Sequence, residues 1–229
     1  MKHTLLVVLT VVLFAGCTSK KRAPLINLQQ QMKDKTEYSI LLDDMKIEGN
    51  VFDSYFHKYK VIEFQDSIPV SRTTDWLQVD EDIYRKYEPY LGMVLLRKDP
   101  VNGVQNNITP PGYNYMGDER YGRWQRDSSG NSFWVWYGQY SLMRSVFGWG
   151  SQRVYRNDYD NWNRTRDIRR YSGTQWGTNG KVTQATKKNF FERRKARQAK
   201  SRSSFTNRFN QKRGRSQSSY RSRSSGFGK

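Results

Sequence analysis

Hydrophobic and polar positions change rhythm several times along this chain, and each change predicts an element. Tyr38, Ile40 and Leu42 recur at every second position; after Asp43-Asp44 the alternation resumes with Met45 and Ile47. A period of two sets such side chains on one face of a strand. Gly49-Asn50 is a turn signal. From Val51 to Phe64 aromatic and β-branched residues dominate, among them Phe52, Tyr55, Phe56, Tyr59, Val61, Ile62 and Phe64. This predicts a long, bulged strand that pairs with the first in a hairpin. Phe52, Tyr55, Phe56 and Tyr59 also fit one face of a helix, which is the alternative.

Asp80-Glu81-Asp82 predicts a helix start, with Asp80 as N-cap and the acids at the positive end of the dipole. Ile83, Tyr87 and Leu91 are its expected apolar face, and Pro89 its end. Met93 to Leu96 reads as a short strand. Residues 99–115 hold three prolines and two glycines and read as a loop. Trp124 leads into the turn residues 127–131 and then into Phe133-Trp-Val-Trp-Tyr137, a second hairpin. Tyr140 to Phe147 predicts a short helix ending at Gly148. Two readings stay open for this aromatic stretch: a core strand with its covering helix, or an exposed platform where Trp124, Trp134 and Trp136 contact a sugar or peptide.

Apolar content and charge divide the chain. Residues 36–150 contain twenty-two Ile, Leu and Val and carry twelve basic and sixteen acidic side chains. Residues 151–229 contain three (Val154, Ile168, Val182) and carry twenty-two basic and four acidic side chains. The expectation is one α+β domain over 36–150, a small antiparallel sheet with one or two short helices. Residues 151–229 are expected to be a disordered, low-complexity Arg/Ser-rich tail, too poor in apolar groups to offset the entropy of ordering. Residues 17–35 read as a tether in which Leu25 to Met32 forms a turn or two of helix. Lys20-Lys21-Arg22 there either touches anionic headgroups or is a solvated spacer.

The N-terminus changes the picture most. Lys2 and His3 precede an apolar run from Leu5 to Phe14, and Ala15-Gly16 supply small residues before the chain's one cysteine. Residues 1–16 thus have the parts of a signal peptide. The run is too short to span a bilayer core, which needs about 20 residues. Leu13-Phe14-Ala15-Gly16-Cys17 resembles the lipobox of bacterial lipoproteins, with Phe14 where that family most often has Leu. The resemblance implies a diacylglyceryl group (and usually a further acyl chain, as palmitate) on Cys17 after cleavage before it. It also implies a membrane-anchored, extracytoplasmic place in the cell envelope. Thr18 lacks the Asp that retains many such proteins in the inner membrane, so the outer membrane is expected where the host has one.

The residues of catalysis are sparse. His57 stands alone in the long strand, with no nucleophile motif beside it, and reads as a surface strand histidine. No His-x-x-x-His, Cys-x-x-Cys, EF-hand pattern or phosphate-binding glycine loop occurs, so no metal or cofactor is expected. Asp43-Asp44 reads as a solvated face. The binding signal is the basic end: from Arg193 onward there are thirteen basic residues and no acid. Its candidates for contact with an anionic surface are Arg193, Arg194, Lys195, Arg197, Lys200, Arg202, Arg208, Lys212, Arg213, Arg215, Arg221 and Arg223. Phe205, Phe209 and Tyr220 are interleaved as aromatic contacts. Outside the cytoplasm the abundant polyanions are anionic lipid, lipopolysaccharide and wall polymer, and Arg pairs with phosphate in any of them. The sequence therefore favours a non-enzymatic binding or structural lipoprotein. The alternatives are an envelope hydrolase using carboxylates of the 36–150 domain, and nucleic-acid binding by the tail.

Overall fold

The computed structural model describes residues 23–49, 52–65, 68–167 and 175–218, with side chains as far as residue 211. The expected hairpin is its centre. Strand β1 (Tyr38–Glu48) pairs antiparallel with β2 (Ser54–Gln65). Gly49 closes the first strand at φ +133, where a Cβ would lie 1.9 Å from the Phe52 carbonyl oxygen. The bulge falls in β1 rather than β2: Leu42 faces Tyr59 and Asp44 faces Lys58, leaving Asp43 as the extra residue. That insertion is the phase slip seen in the sequence. It keeps Met45 on the same buried side as Ile40 and Leu42.

The sheet grows outward in the order β3-β2-β1-β5-β6, all antiparallel. Here β3 is Ile68–Thr73, β5 Val94–Asp99 and β6 Gly103–Gln105. Strand β4 (Leu77–Val79) pairs with the start of β2. Five successive residues of β1, Tyr38 to Leu42, are buried, because both faces of the sheet are covered. Tyr38, Ile40, Leu42, Tyr59 and Val61 pack on one side; Leu41, Ile62 and Val94 pack on the other.

The first side is covered by helices. Helix α1 (Pro24–Gln31) opens on a proline, which suits the first helical position. Its Leu25 and Leu28, with Met32, enter the core, so the folded domain begins near residue 24 and not at 36. Helix α2 (Glu81–Tyr87) starts after Asp80 as expected and runs into a 3₁₀ turn at Glu88–Tyr90 around Pro89. Its buried residue is Tyr84, while Ile83 and Tyr87 are half-buried.

The second side is covered by an aromatic layer. Strands β7 (Gly122–Arg126) and β8 (Ser132–Trp136) form the second hairpin, followed by a 3₁₀ turn and the short helix α3 (Met143–Val146). The fold class is α+β with an antiparallel sheet. Its helical share exceeds expectation, because three helices form among the described residues after 150: α4 spans Arg156–Thr165, α5 Lys181–Thr186 and α6 Lys188–Ser218.

The expected boundary at 150 is therefore corrected. Val154, Trp162, Trp176, Val182 and Phe190 are all buried. Trp162 lies in the same core, and Trp176 ends a run of indoles in which Trp134–Trp136, Trp136–Trp149 and Trp149–Trp176 have ring centroids 5.9, 5.7 and 5.9 Å apart. The backbone N–H of Thr178 donates to the Pro89 carbonyl at 3.1 Å, and its hydroxyl donates to the Glu88 carbonyl. Gly180 makes this loop possible, since a Cβ there would lie 2.4 Å from the Trp176 nitrogen. Aliphatic counting missed this layer because large aromatic rings supply its burial, at 150–250 Å² each.

Candidate anionic-surface interface

The basic residues nominated from sequence divide into two groups along α6. The first group is docked on the domain. Phe190 is buried in the helix-side core, and Phe191 packs edge-on against it with centroids 5.0 Å apart. Around this apolar contact cations meet the acids of β1 and its surroundings. Lys187 Nζ lies 2.5 Å from Asp43 Oδ1, and Arg193 Nη2 donates to Asp44 Oδ1 at 2.6 Å. Arg197 Nη2 lies 2.5 Å from Asp53 Oδ2, and Arg194 Nη2 lies 4.0 Å from Glu88 Oε1. Three of the twelve nominated cations, Arg193, Arg194 and Arg197, are thus spent on internal carboxylates. Asp43-Asp44 is a docking patch and not simply a solvated face.

Two further groups shape this patch. The half-buried Trp76 indole lies beneath Lys46 Nζ at 4.5 Å, Lys58 Nζ at 5.3 Å and the Arg193 guanidinium at 5.5 Å from its centroid. Sequence reading missed Trp76, since nothing local ties it to three cations from different elements. Lys60 is held below its usual pKa by burial, which Asp43 opposes and Lys187 reinforces. The balance of energies is clear. Exposed ion pairs contribute about 0.2–1 kcal/mol each. Burying a phenylalanine contributes about 1.5–3 kcal/mol. Phe190 therefore holds the helix, and the ion pairs set its direction.

The second group projects away. Residues 201–211 are all exposed, including Arg202, Phe205, Arg208 and Phe209. Lys195 and Lys200 are exposed on the docked half. Phe205 and Phe209 are four apart and share one helix face. Lys212, Arg213 and Arg215 fall on the last turns of α6, with their side chains outside the described residues. Cys17, Tyr220, Arg221 and Arg223 lie outside the described residues, as does the signal peptide. An extended disordered chain is replaced here by a helix as far as Ser218.

The aromatic contact candidates of the hairpin are corrected. Trp134 and Trp136 are buried core residues, 5 and 6 % exposed. Trp124 is half-buried, 5.1 Å from Trp134 and 5.3 Å below the Arg156 guanidinium. The expectation for His57 also changes: it is fully buried. Its Nδ1 lies 2.9 Å from the Tyr59 hydroxyl, its Nε2 has no partner among the described residues, and the rings of Tyr84 and Tyr87 flank it. Burial drives its pKa down to about 4, and that of Tyr84 up to about 12. A neutral imidazole packed among tyrosines is a core element.

Among the described residues no group of three or more His, Cys, Asp and Glu is arranged to hold a metal ion. No helix among them is long and apolar enough to cross a membrane. Searches against protein-family models, curated proteins and solved structures find no match for this chain.

Proposed function

We propose that this chain is a membrane-anchored envelope lipoprotein of binding or structural type. Acyl chains on Cys17 fix one end, and the projecting half of α6 holds a second, anionic surface: phospholipid headgroups, lipopolysaccharide phosphates or a wall polymer. The supporting observation is the asymmetry of α6. Its docked half has carboxylate partners on the domain, while its projecting half is exposed and no acid follows Glu192 in the sequence. From Arg197 to Ser218 the helix reaches about 30 Å. Arg202 and Arg208 on that arm suit phosphate oxygens. Phe205 and Phe209 suit shallow insertion beside them.

The test uses the full chain carrying Cys17→Ser, which removes the lipid contribution, with vesicles of neutral or of anionic lipid. Binding should favour the anionic vesicles and fall steeply with salt. Replacing Arg202 and Arg208 by Gln should weaken it, and replacing Phe205 and Phe209 by Ala should weaken it less. Equal binding to both vesicles, or binding indifferent to salt, would reject this reading. The wild-type chain should fractionate with membranes through a high-salt wash and carry lipid mass on Cys17; retention of Cys17→Ser through the same wash would reject the anchor.

A further inference from the structure

A cleft of about 520 Å³ opens between the β5–β6 hairpin, the 107–114 loop and the C-terminal end of α4. Its lining is unusually rich in amides: Asn102, Gln105, Asn107, Asn114 and Asn163. Trp162 and Tyr90 form its apolar part. One wall is fixed in advance. Gln105 accepts from Arg97 Nη2 at 2.5 Å and donates to Asp99 Oδ2 at 2.8 Å, and Asp99 Oδ1 accepts the Asn102 side-chain amide at 3.1 Å. The side-chain amides of Asn107, Asn114 and Asn163 make no hydrogen bond among the described residues.

Three observations mark this cleft as a place where something binds. Thr109 and Arg97 both line it, and the buried Thr109 hydroxyl and Arg97 Nε have no hydrogen-bond partner among the described residues. Both are polar groups that normally find a partner when buried. Arg166, also on the lining, is the one non-glycine residue at positive φ among the described residues, at +48. Arg166 is the left-handed C-cap of α4, its N–H donating to the Trp162 carbonyl, and a position that favours glycine is held there by a long cation. Arg166 Nε reaches the Asn163 carbonyl at 3.3 Å, leaving its terminal nitrogens unpaired among the described residues.

We propose that this cleft binds an anionic saccharide, with sugar hydroxyls on the Asn107, Asn114 and Asn163 amides and the acid group on Arg166. Each amide offers a donor and an acceptor side by side, which matches a hydroxyl in either role. A guanidinium pairs two-pronged with a carboxylate or phosphate. The ring faces of a sugar suit the half-buried apolar surface of Tyr90 and Ile108. This site shares no residue with α6 and does not depend on the reading of the tail.

The experiment titrates the full chain carrying Cys17→Ser with tetragalacturonate and with uncharged cellotetraose, by calorimetry at about 0.15 M salt, where long-range charge is screened. Saturable binding of tetragalacturonate is expected, at least tenfold tighter than cellotetraose. Arg166→Gly should weaken it at least tenfold with the unfolding midpoint unchanged, since glycine suits that backbone. Asn163→Asp, at an exposed position, should weaken it similarly by repulsion. Arg202→Gln with Arg208→Gln should reduce it far less than either cleft variant does. Absence of saturable binding, equal affinity for the two oligomers, indifference to both cleft variants, or a loss in the α6 variant equal to that in the cleft variants would each overturn the proposal.

Discussion

The indole N–H of Trp176 donates to the hydroxyl of Tyr113 at 2.9 Å, joining residues 63 positions apart in the middle of the aromatic layer. The Tyr113 hydroxyl in turn donates to Asp158 Oδ2 at 3.0 Å. Two of these three residues come after position 150. The second core is therefore closed by the part of the chain that is poorest in aliphatic residues.

Truncation gives the direct consequence. Removing residues 151–229 strips Trp162, Trp176 and Val182 from the layer and Phe190 from the opposite core. Such a fragment should lose cooperative unfolding and near-ultraviolet dichroism. Removing only 202–229 takes away exposed helix and should change stability by less than about 1 kcal/mol, as surface changes usually do. Trp176→Ala in the full chain should cost about 3–5 kcal/mol, the range for a buried tryptophan. Equal thermal stability of the 150-residue fragment and the full chain would contradict this account.

Docking of α6 should depend more on Phe190 than on charge. Phe190→Ala should destabilise by about 3–5 kcal/mol. Asp44→Asn should cost no more than about 1 kcal/mol, because the Arg193 partner is partly exposed. Amide exchange across 188–200 reads both, and added salt should reproduce only the smaller effect. A larger loss from Asp44→Asn than from Phe190→Ala would reverse the ranking.

His57 should make stability depend on pH. Its folded pKa is depressed to about 4 from 6.5. As pH falls below 6.5 the unfolded chain takes a proton that the folded chain refuses, so stability drops until about pH 4. At 1.36 kcal/mol per pKa unit the full effect is about 3 kcal/mol. Glu37, which accepts from the Tyr115 hydroxyl at 2.9 Å, acts in the opposite sense. Burial raises its pKa, so its contribution is present at low pH and fades as pH rises above its unfolded value of 4.5. Denaturant unfolding of His57→Phe should show a flatter slope between pH 4 and 6.5 than the wild type. The same slope should steepen in Glu37→Gln.

Elements whose cause is local were legible in the sequence. The β1–β2 hairpin, the helix after Asp80, the strand from Val94 and the Trp124–Trp136 hairpin each follow from a short pattern and a turn. What escaped reading depends on contacts between distant segments. Leu25 and Leu28 looked like part of a spacer because only the far side of the sheet gives them a core. Trp162 and Trp176 sit among arginines and asparagines, and their burial is decided by rings from residues 113–149. The docked arginines were read as available because no acid follows Glu192 in sequence; their partners are the distant Asp44, Asp53 and Glu88. The contrast between a mildly acidic middle and a strongly basic end was the one signal of that match.

The bulge in β1 makes Asp43 the one residue that the ladder between Leu42 and Asp44 can spare. Deleting that one residue would leave a regular strand whose hydrogen bonds to β2 close without a gap. Local regularity would improve. Leu42, Met45 and Ile47 would then stand at every second position and keep their core face and their β2 partners, while Lys187 would lose its carboxylate. A chain with this architecture should accept loss of one of the two aspartates and reject loss of both, or an added residue, either of which would turn Met45 and Ile47 to the opposite face, a pattern that a library of deletions and insertions would display as a sharp local asymmetry.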